Sequence, residues 1–264
     1  MRHLIGLSLL LIAPSLRGQA AAIPDFYSAI TTADVASLYG QGCQAGRNQS
    51  TLNFSESKKV LRTLFLSLKI RTLYCQCGLV LQENEFTVDS ACSYQKNRRF
   101  PIVNWEHVVP ASRFGQLRSC WRGADCNKRR GRHCCRIADP CFNRIEADLH
   151  NLHPVLSDLN YDRSNYLYGE IPGERRDYGS CDFEIDSKHR LAEPAPQIRG
   201  DIARMYLYMS WWYGFELTDA ERNLFLEWNQ FDPPDETERR LEAARRRLQG
   251  NGNPFISGWQ AQAP

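Results

Sequence analysis

Between Phe54 and Leu68, Val60, Leu61, Leu64, Phe65 and Leu68 recur at helical spacing on one face, predicting a core-facing helix with Ser55 as its cap. Residues 23–38 carry a similar helical pattern. The period then shortens: 71–75, 79–81 and 101–105 have strand composition, while the charged, Asn-containing 95–99 reads as a turn or exposed loop. Residues 120–141 show no clean period and are expected to be a disulfide-pinned loop. Residues 143–151 lead into a second strand at 152–154, followed by a helix over 157–168 with Ser157 as cap and Asn160 in its first turns. Gly, Pro and charge dominate 169–198, which reads as a long loop tied down by Cys181.

The last third of the chain is helical in pattern. Ile202, Met205, Tyr206, Met209 and Trp212 share a face, and Thr218 with Glu221 forms a capping box opening a helix that buries Leu224, Phe225 and Trp228. These aromatics read as core, not as a surface for stacking bases. Pro233 and Pro234 separate that helix from a final one over 235–249, which Gly250 is placed to end. The chain contains no internal repeat and no low-complexity segment.

At 264 residues without a composition break, the expectation is one mixed α+β domain over 23–264, rich in helices. Residues 1–22 read as a signal peptide, with Arg2 and His3, an apolar run over 4–12, and the small-residue site Ala20-Ala21-Ala22. That run is too short to span a bilayer and no later one is longer, so membrane insertion is not expected. All 10 cysteines lie beyond residue 22, an even number in a chain bound for an oxidising compartment. Disulfides are therefore favoured over zinc, since Cys75-x-Cys77 and Cys134-Cys135 are tighter than zinc-ligand spacing, and the two adjacent cysteines should have different partners.

Net charge is only +3, so its distribution matters more than its sum. Arg118, Arg122, Lys128, Arg129, Arg130, Arg132 and Arg136 crowd a segment whose only acid is Asp125, and such a block can meet phosphates. A second basic run, Arg239-Arg240 and Arg245-Arg246-Arg247, alternates with Glu236, Glu238 and Glu242 and reads as a salt-bridged helix face.

The chemistry concentrates at Trp105-Glu106-His107-Val108-Val109-Pro110-Ala111. Neighbouring side chains of a strand point to opposite faces, so Glu106 and His107 can share a substrate only where the strand ends or bends, and Pro110 supplies an end. An imidazole near neutral pH can take a proton from water, while a carboxylate and an amide oxygen, Glu106 and Asn160, suit a hard cation such as Mg²⁺. His150 and His153 lack zinc-ligand context, because the His-Glu-x-x-His pattern is absent.

These residues, with Asp148-Leu-His150-Asn151-Leu-His153-Pro154 and Ser157-Asp-Leu-Asn160-Tyr-Asp162-Arg163-Ser-Asn165, resemble the signature blocks of the endonuclease I family of non-specific secreted or periplasmic nucleases, in the ββα-metal (His-Me finger) superfamily. Residues 199–204 and 250–255 resemble its C-terminal blocks, and the likeness extends from about residue 25 to the end. It implies His107 as general base, Glu106 and Asn160 as metal ligands, and Asn151 as a residue holding the loop that orients His107. It also implies Glu146 as a supporting acid and Arg132 as the phosphate-binding arginine. The insertion around Arg132 is longer than the family pattern, which keeps Arg130 and Arg136 as rivals and Lys128 and Arg129 as backbone contacts.

The reading is a secreted or periplasmic, Mg²⁺-dependent endonuclease without sequence specificity, for which Mn²⁺ or Ca²⁺ are substitute ions. Its partner is DNA, with RNA open, and no obligate protein partner is inferred. The resemblance implies 5′-phosphate products. The rival is a non-catalytic, disulfide-stabilised nucleic-acid-binding protein, which would need none of Glu106, His107 and Asn160; a zinc-dependent HNH nuclease is disfavoured by the cysteine spacing.

Overall fold

The computed structural model describes residues 43, 52–92, 94, 102–123, 126, 129–173 and 175–261. The expected signal peptide, the 23–38 helix, the 95–99 turn and Lys128 lie outside them.

Helix α1, Phe54–Leu68, follows the apolar stripe and buries Leu61 and Phe65, but its cap is Asn53 instead of Ser55. The Asn53 side chain accepts from the Ser55 and Glu56 backbone, and Glu56 reaches back to the Asn53 N–H, a capping box that puts the cap two residues earlier than expected. Residues 73–75 form a turn, with only an isolated bridge from Arg71 to Gly78, instead of the expected strand over 71–75. β1 (Leu79–Gln82) and β2 (Glu85–Val88) make an antiparallel hairpin.

β3 (Val103–His107) runs into α2 (Ala111–Gly115). The cysteine-rich stretch that follows is helical instead of a loop: α3 (Ser119–Arg122), α4 (Gly131–Ala138) and α5 (Pro140–Glu146). Disulfides Cys120–Cys135 and Cys126–Cys134 attach α4 to the segment before it. Each closes a short loop, of 15 and 8 residues. A closed loop of about 15 residues contributes roughly 3 kcal/mol in the chain-entropy picture, which can hold a helix that its own periodicity does not announce.

β4 (Leu152–Leu156) returns antiparallel to β3, pairing Glu106 with His153 and His107 with Leu152, and α6 (Ser157–Arg163) follows at once. Leu156 occupies the cap position of α6 with no side-chain bond, so Ser157 is not its cap, and the helix stops at Arg163, short of 168. The expected 169–198 loop instead contributes β6 (Phe183–Asp186) and β7 (Leu191–Pro194), which form a three-stranded sheet with β5 (Leu167–Tyr168) in the order β5-β7-β6.

Three long helices close the fold: α7 (Arg199–Tyr213), α8 (Asp219–Phe231) and α9 (Glu236–Gln249), with a short α10 (Pro254–Ser257). The Thr218–Glu221 capping box is present, and Gly250 ends α9 at φ 88°. α7 is buried nearly all round, more than a one-sided stripe implies. On α9 the surface reading fails at Glu238 and Glu242, which are buried, and at Arg245, which is 3% exposed and lies over the Phe65 ring. There it donates to the Leu152 carbonyl at 2.8 Å and meets His153 Nε2 at 3.0 Å. Position 245 shares the inner face of α9 with Leu241, Ala244 and Gln249.

The architecture is α+β, with β3 and β4 held between two buried clusters. Leu61, Phe65, Ile70, Phe86, Val103 and Leu152 belong to one; Val108, Val109, Val155, Leu156, Phe142 and Tyr206 belong to the other. The described cysteines are all paired, with Cys43–Cys141, Cys75–Cys181 and Cys77–Cys92 completing the set, and Cys134 and Cys135 do take different partners.

Candidate active site

β3 ends at His107, and a bend through Val108 and Val109 carries the chain to Pro110. Glu106 and His107, 3% and 5% exposed, therefore both reach the floor of a cleft of about 1240 Å³ that Asn160 and Arg132 also line. Asn151 holds this bend: its Oδ1 accepts from Val109 N–H at 2.7 Å and its Nδ2 donates to the Val109 carbonyl at 3.0 Å.

The imidazole of His107 has a defined tautomer. Nε2 lies 2.8 Å from the backbone carbonyl of Glu146, and a carbonyl can only accept, so Nε2 carries the proton and Nδ1 the lone pair. Arg132 Nη2 approaches that lone pair at 3.4 Å, and the Phe54 ring lies against the imidazole at 4.9 Å between centroids. Burial first, and then the Arg132 guanidinium, lowers the His107 pKa to about 3, so the ring is neutral at physiological pH.

Glu146 is 1% exposed and takes two arginines. Arg136 is bidentate to it, through Nε at 2.7 Å and Nη2 at 2.8 Å, and Arg132 Nε adds a contact at 3.0 Å. The Glu146 carboxylate thus aims Arg132 at His107 while its backbone carbonyl aims the imidazole. Arg132 is the only Lys or Arg among the described residues lining the cleft. Arg136 lies in a separate groove against the Phe54 ring, and Arg129 and Arg130 are exposed outside the cleft.

Arg163 and Tyr74 are site residues that the sequence did not disclose. Arg163, fully buried, donates from Nη1 to Glu106 Oε1 at 2.9 Å and to the His107 carbonyl at 3.1 Å, and from Nη2 to the Val108 carbonyl at 2.6 Å. Tyr74 OH donates to the same Glu106 Oε1 at 2.7 Å and lies 2.6 Å from Tyr168 OH. The Asp162-Arg163-Ser164-Asn165 run carried the signal, but nothing in it names a partner 57 residues upstream. Burial raises the Glu106 pKa, with Arg163 pulling it back toward the ionised form.

Both of these bonds fall on Oε1, which leaves Oε2 of Glu106 for the cleft. The Asn160 amide donates through Nδ2 to the Trp105 carbonyl at 3.3 Å, which turns its Oδ1 the other way. A carboxylate oxygen and an amide oxygen, both hard donors without thiol or imidazole among them, fit an oxygen-seeking divalent cation and not zinc. Among the described residues no group of three or more His, Cys, Asp and Glu could hold a metal. A cation here would therefore keep most positions for water and substrate oxygens, as Mg²⁺ does. His150 and His153 are engaged elsewhere, His150 Nε2 with the Asn251 carbonyl at 3.0 Å and His153 with Arg245.

Two antiparallel strands and a helix thus bring an acid, a neutral imidazole and an amide to one cleft. The family model described as Endonuclease I matches residues 48–259. The chain is 37% identical over 210 residues to an Endonuclease-1 of Buchnera aphidicola subsp. Baizongia pistaciae (strain Bp), covering 77% of this chain and 82% of the relative. It is 36% identical over 208 residues to an extracellular deoxyribonuclease of Aeromonas hydrophila, covering 77% and 87%. A periplasmic deoxyribonuclease of the same organism is 36% identical over 190 residues, covering 70% and 77%. The chain belongs to the endonuclease I family of metal-dependent nucleases.

Proposed function

We propose that this nuclease is a secreted or periplasmic endonuclease that hydrolyses DNA phosphodiesters without sequence preference, using Mg²⁺ and leaving 5′-phosphates. The observation that carries the reading is the lone pair of His107 Nδ1, approached by the guanidinium of Arg132 in a cleft that Glu106 and Asn160 also line. Compartment is supported by the five disulfides, by the signal-like residues 1–22, and by relatives named extracellular and periplasmic deoxyribonucleases. No helix among the described residues is long and apolar enough to cross a membrane.

His107 Nδ1 accepts a proton from a water molecule, whose oxygen forms the new bond to phosphorus as the bond to the 3′ oxygen breaks, and the departing 3′ oxygen takes up a proton from solvent water. Glu146 supports this step by fixing the imidazole tautomer through its backbone and Arg132 through its carboxylate. Arg132 stabilises charge that grows on the phosphoryl oxygens, an effect strongest in a water-poor site. Glu106 and Asn160 would hold the cation, which when bound neutralises charge on the phosphate and the departing oxygen. Arg163 and Tyr74 keep Glu106 Oε1 occupied and direct Oε2 outward. Asn151 fixes the bend that carries His107 into the cleft.

Backbone contacts carry no sequence information, which agrees with a cleft whose cationic contact is an arginine suited to phosphate. Plasmid nicking tests this reading: supercoiled DNA should be relaxed and then linearised in Mg²⁺ and stay intact in EDTA. Cleavage that persists unchanged in EDTA would overturn the metal-dependent mechanism. Binding without cleavage in any divalent cation would favour the non-catalytic alternative.

A further inference from the structure

The two walls of the cleft differ in chemistry. One is α4, which brings Arg132 to the cleft with Arg136 and Glu146 behind it. The other is built from α6 and the segment after it, and presents Tyr161, Asn165, Tyr166, Asp162 and Asp177 with no Lys or Arg among its described cleft-lining residues. Asp162 accepts from Tyr178 OH at 2.7 Å, and Asp177 pairs with Arg175 at 2.9 Å. Carboxylates repel phosphates, so a bound strand runs its sugar–phosphate backbone along the Arg132 side. Its bases then face the α6 side.

On that side one aromatic ring stands open. Tyr161 is 84% exposed, adjacent in sequence to Asn160, and on the cleft. The other aromatics of the cleft are engaged: the Arg190 guanidinium covers Tyr166 at 4.8 Å, Tyr178 is buried, and, away from α6, Trp105 stacks on Phe65 at 5.7 Å and Trp121 packs on Phe142 at 6.0 Å between centroids. A tyrosine left in water on the cleft, next in sequence to Asn160 and on the wall away from Arg132, matches how single-stranded nucleic acid is held by aromatic faces.

We propose that Tyr161 forms a nucleobase subsite, stacking on the base of a nucleotide next to the scissile phosphate while Arg132 takes the backbone. This rests on the nuclease reading above and deepens it. An intact duplex keeps its bases stacked on one another, so the subsite favours single-stranded or locally opened DNA.

The test uses the full mature chain and a short single-stranded oligonucleotide in which one abasic tetrahydrofuran residue is walked across the cleavage position. Affinity is read by fluorescence anisotropy in EDTA and cleavage in Mg²⁺. For the wild type, removing the base at one flanking position should weaken Kd and KM roughly 5- to 150-fold, the range for one stacked base. Tyr161→Ala should weaken the intact oligonucleotide by a similar factor, lose its sensitivity to that abasic position, and keep kcat and the melting temperature of the wild type. Tyr161→Phe should behave as wild type, because the ring and not the hydroxyl is used. A Tyr161→Ala protein with wild-type Kd and the same abasic profile overturns the subsite. Absence of cleavage with Tyr161-dependent binding would instead refute the nuclease reading and leave the subsite standing.

Discussion

Arg163→Met tests whether the site is held together from behind. The guanidinium is fully buried and ties α6 to the end of β3 through Glu106 Oε1 and the carbonyls of His107 and Val108. Methionine preserves much of the volume but leaves the Glu106 side chain, 4% exposed, without its counter-charge, and two backbone acceptors without their donor. Removing one member of a buried pair typically costs about 3–5 kcal/mol, mostly the penalty of the charge left behind. Glu106→Gln should cost less, because Arg163 keeps both backbone acceptors and the amide oxygen can still accept. The double variant should then be more stable than the sum of the singles by about 1–3 kcal/mol, the coupling expected of residues in contact. Urea denaturation followed by circular dichroism measures all four proteins. A loss below about 1 kcal/mol for Arg163→Met, or strict additivity in the double variant, would refute the reasoning.

Three further outcomes are expected. Arg132→Ala should lower kcat at saturating DNA, Arg136→Ala should do so less because it acts through Glu146, and Arg130→Ala should change only salt-dependent affinity; a kcat loss confined to Arg130→Ala or Arg136→Ala would misplace the phosphate contact. Burial lowers the pKa of His150 to about 4 and that of His153 well below the usual imidazole value. Below pH about 6.5 the unfolded chain binds a proton that each folded ring refuses, so each contributes stability that is complete above that pH and lost at about 1.4 kcal/mol per unit as pH falls toward the folded value. Carboxylates whose pKa values are raised by desolvation, such as Asp201 and Glu238, act in the opposite sense, so the measurement is differential. Between pH 6 and 5, His150→Asn should lose stability more slowly than wild type, and parallel curves would contradict the buried neutral ring. The unfolded, unreduced protein should titrate no thiols, and reduction should release α4 first because Cys134 and Cys135 both staple it; stoichiometric zinc with four titratable thiols would contradict this.

What could be read in the chain depended on how local each signal was. The α1 stripe, the Thr218 capping box and the Gly250 stop are set by residues within a turn or two, and all three occur where the pattern puts them. The cap of α1 was missed because Asn53 and Ser55 are both capping residues, and the reciprocal bond with Glu56 decides between them. α4 was hidden because two disulfides, not an apolar period, fix its place. β5 to β7 are two to four residues long, too short for alternation to emerge from a Gly- and Pro-rich background. Arg163 and Tyr74 were illegible for another reason: each reaches Glu106 across the fold, at sequence separations of 57 and 32. Arg245 looked like one more charge on a solvated helix, and only its place on the inner face of α9 shows it beneath the finger strands.

The most direct test of the catalytic site is His107→Ala, followed by plasmid turnover at saturating DNA and by DNA affinity in EDTA. Its small side chain removes the Nδ1 lone pair and leaves Glu106, Asn160 and the Arg132–Glu146 contact in place. Turnover should fall by about two to four orders of magnitude with affinity nearly unchanged, the signature of lost proton transfer and not of lost attraction. Plasmid cleavage at the wild-type rate, or a loss confined to affinity, would contradict the assignment of His107 as the base.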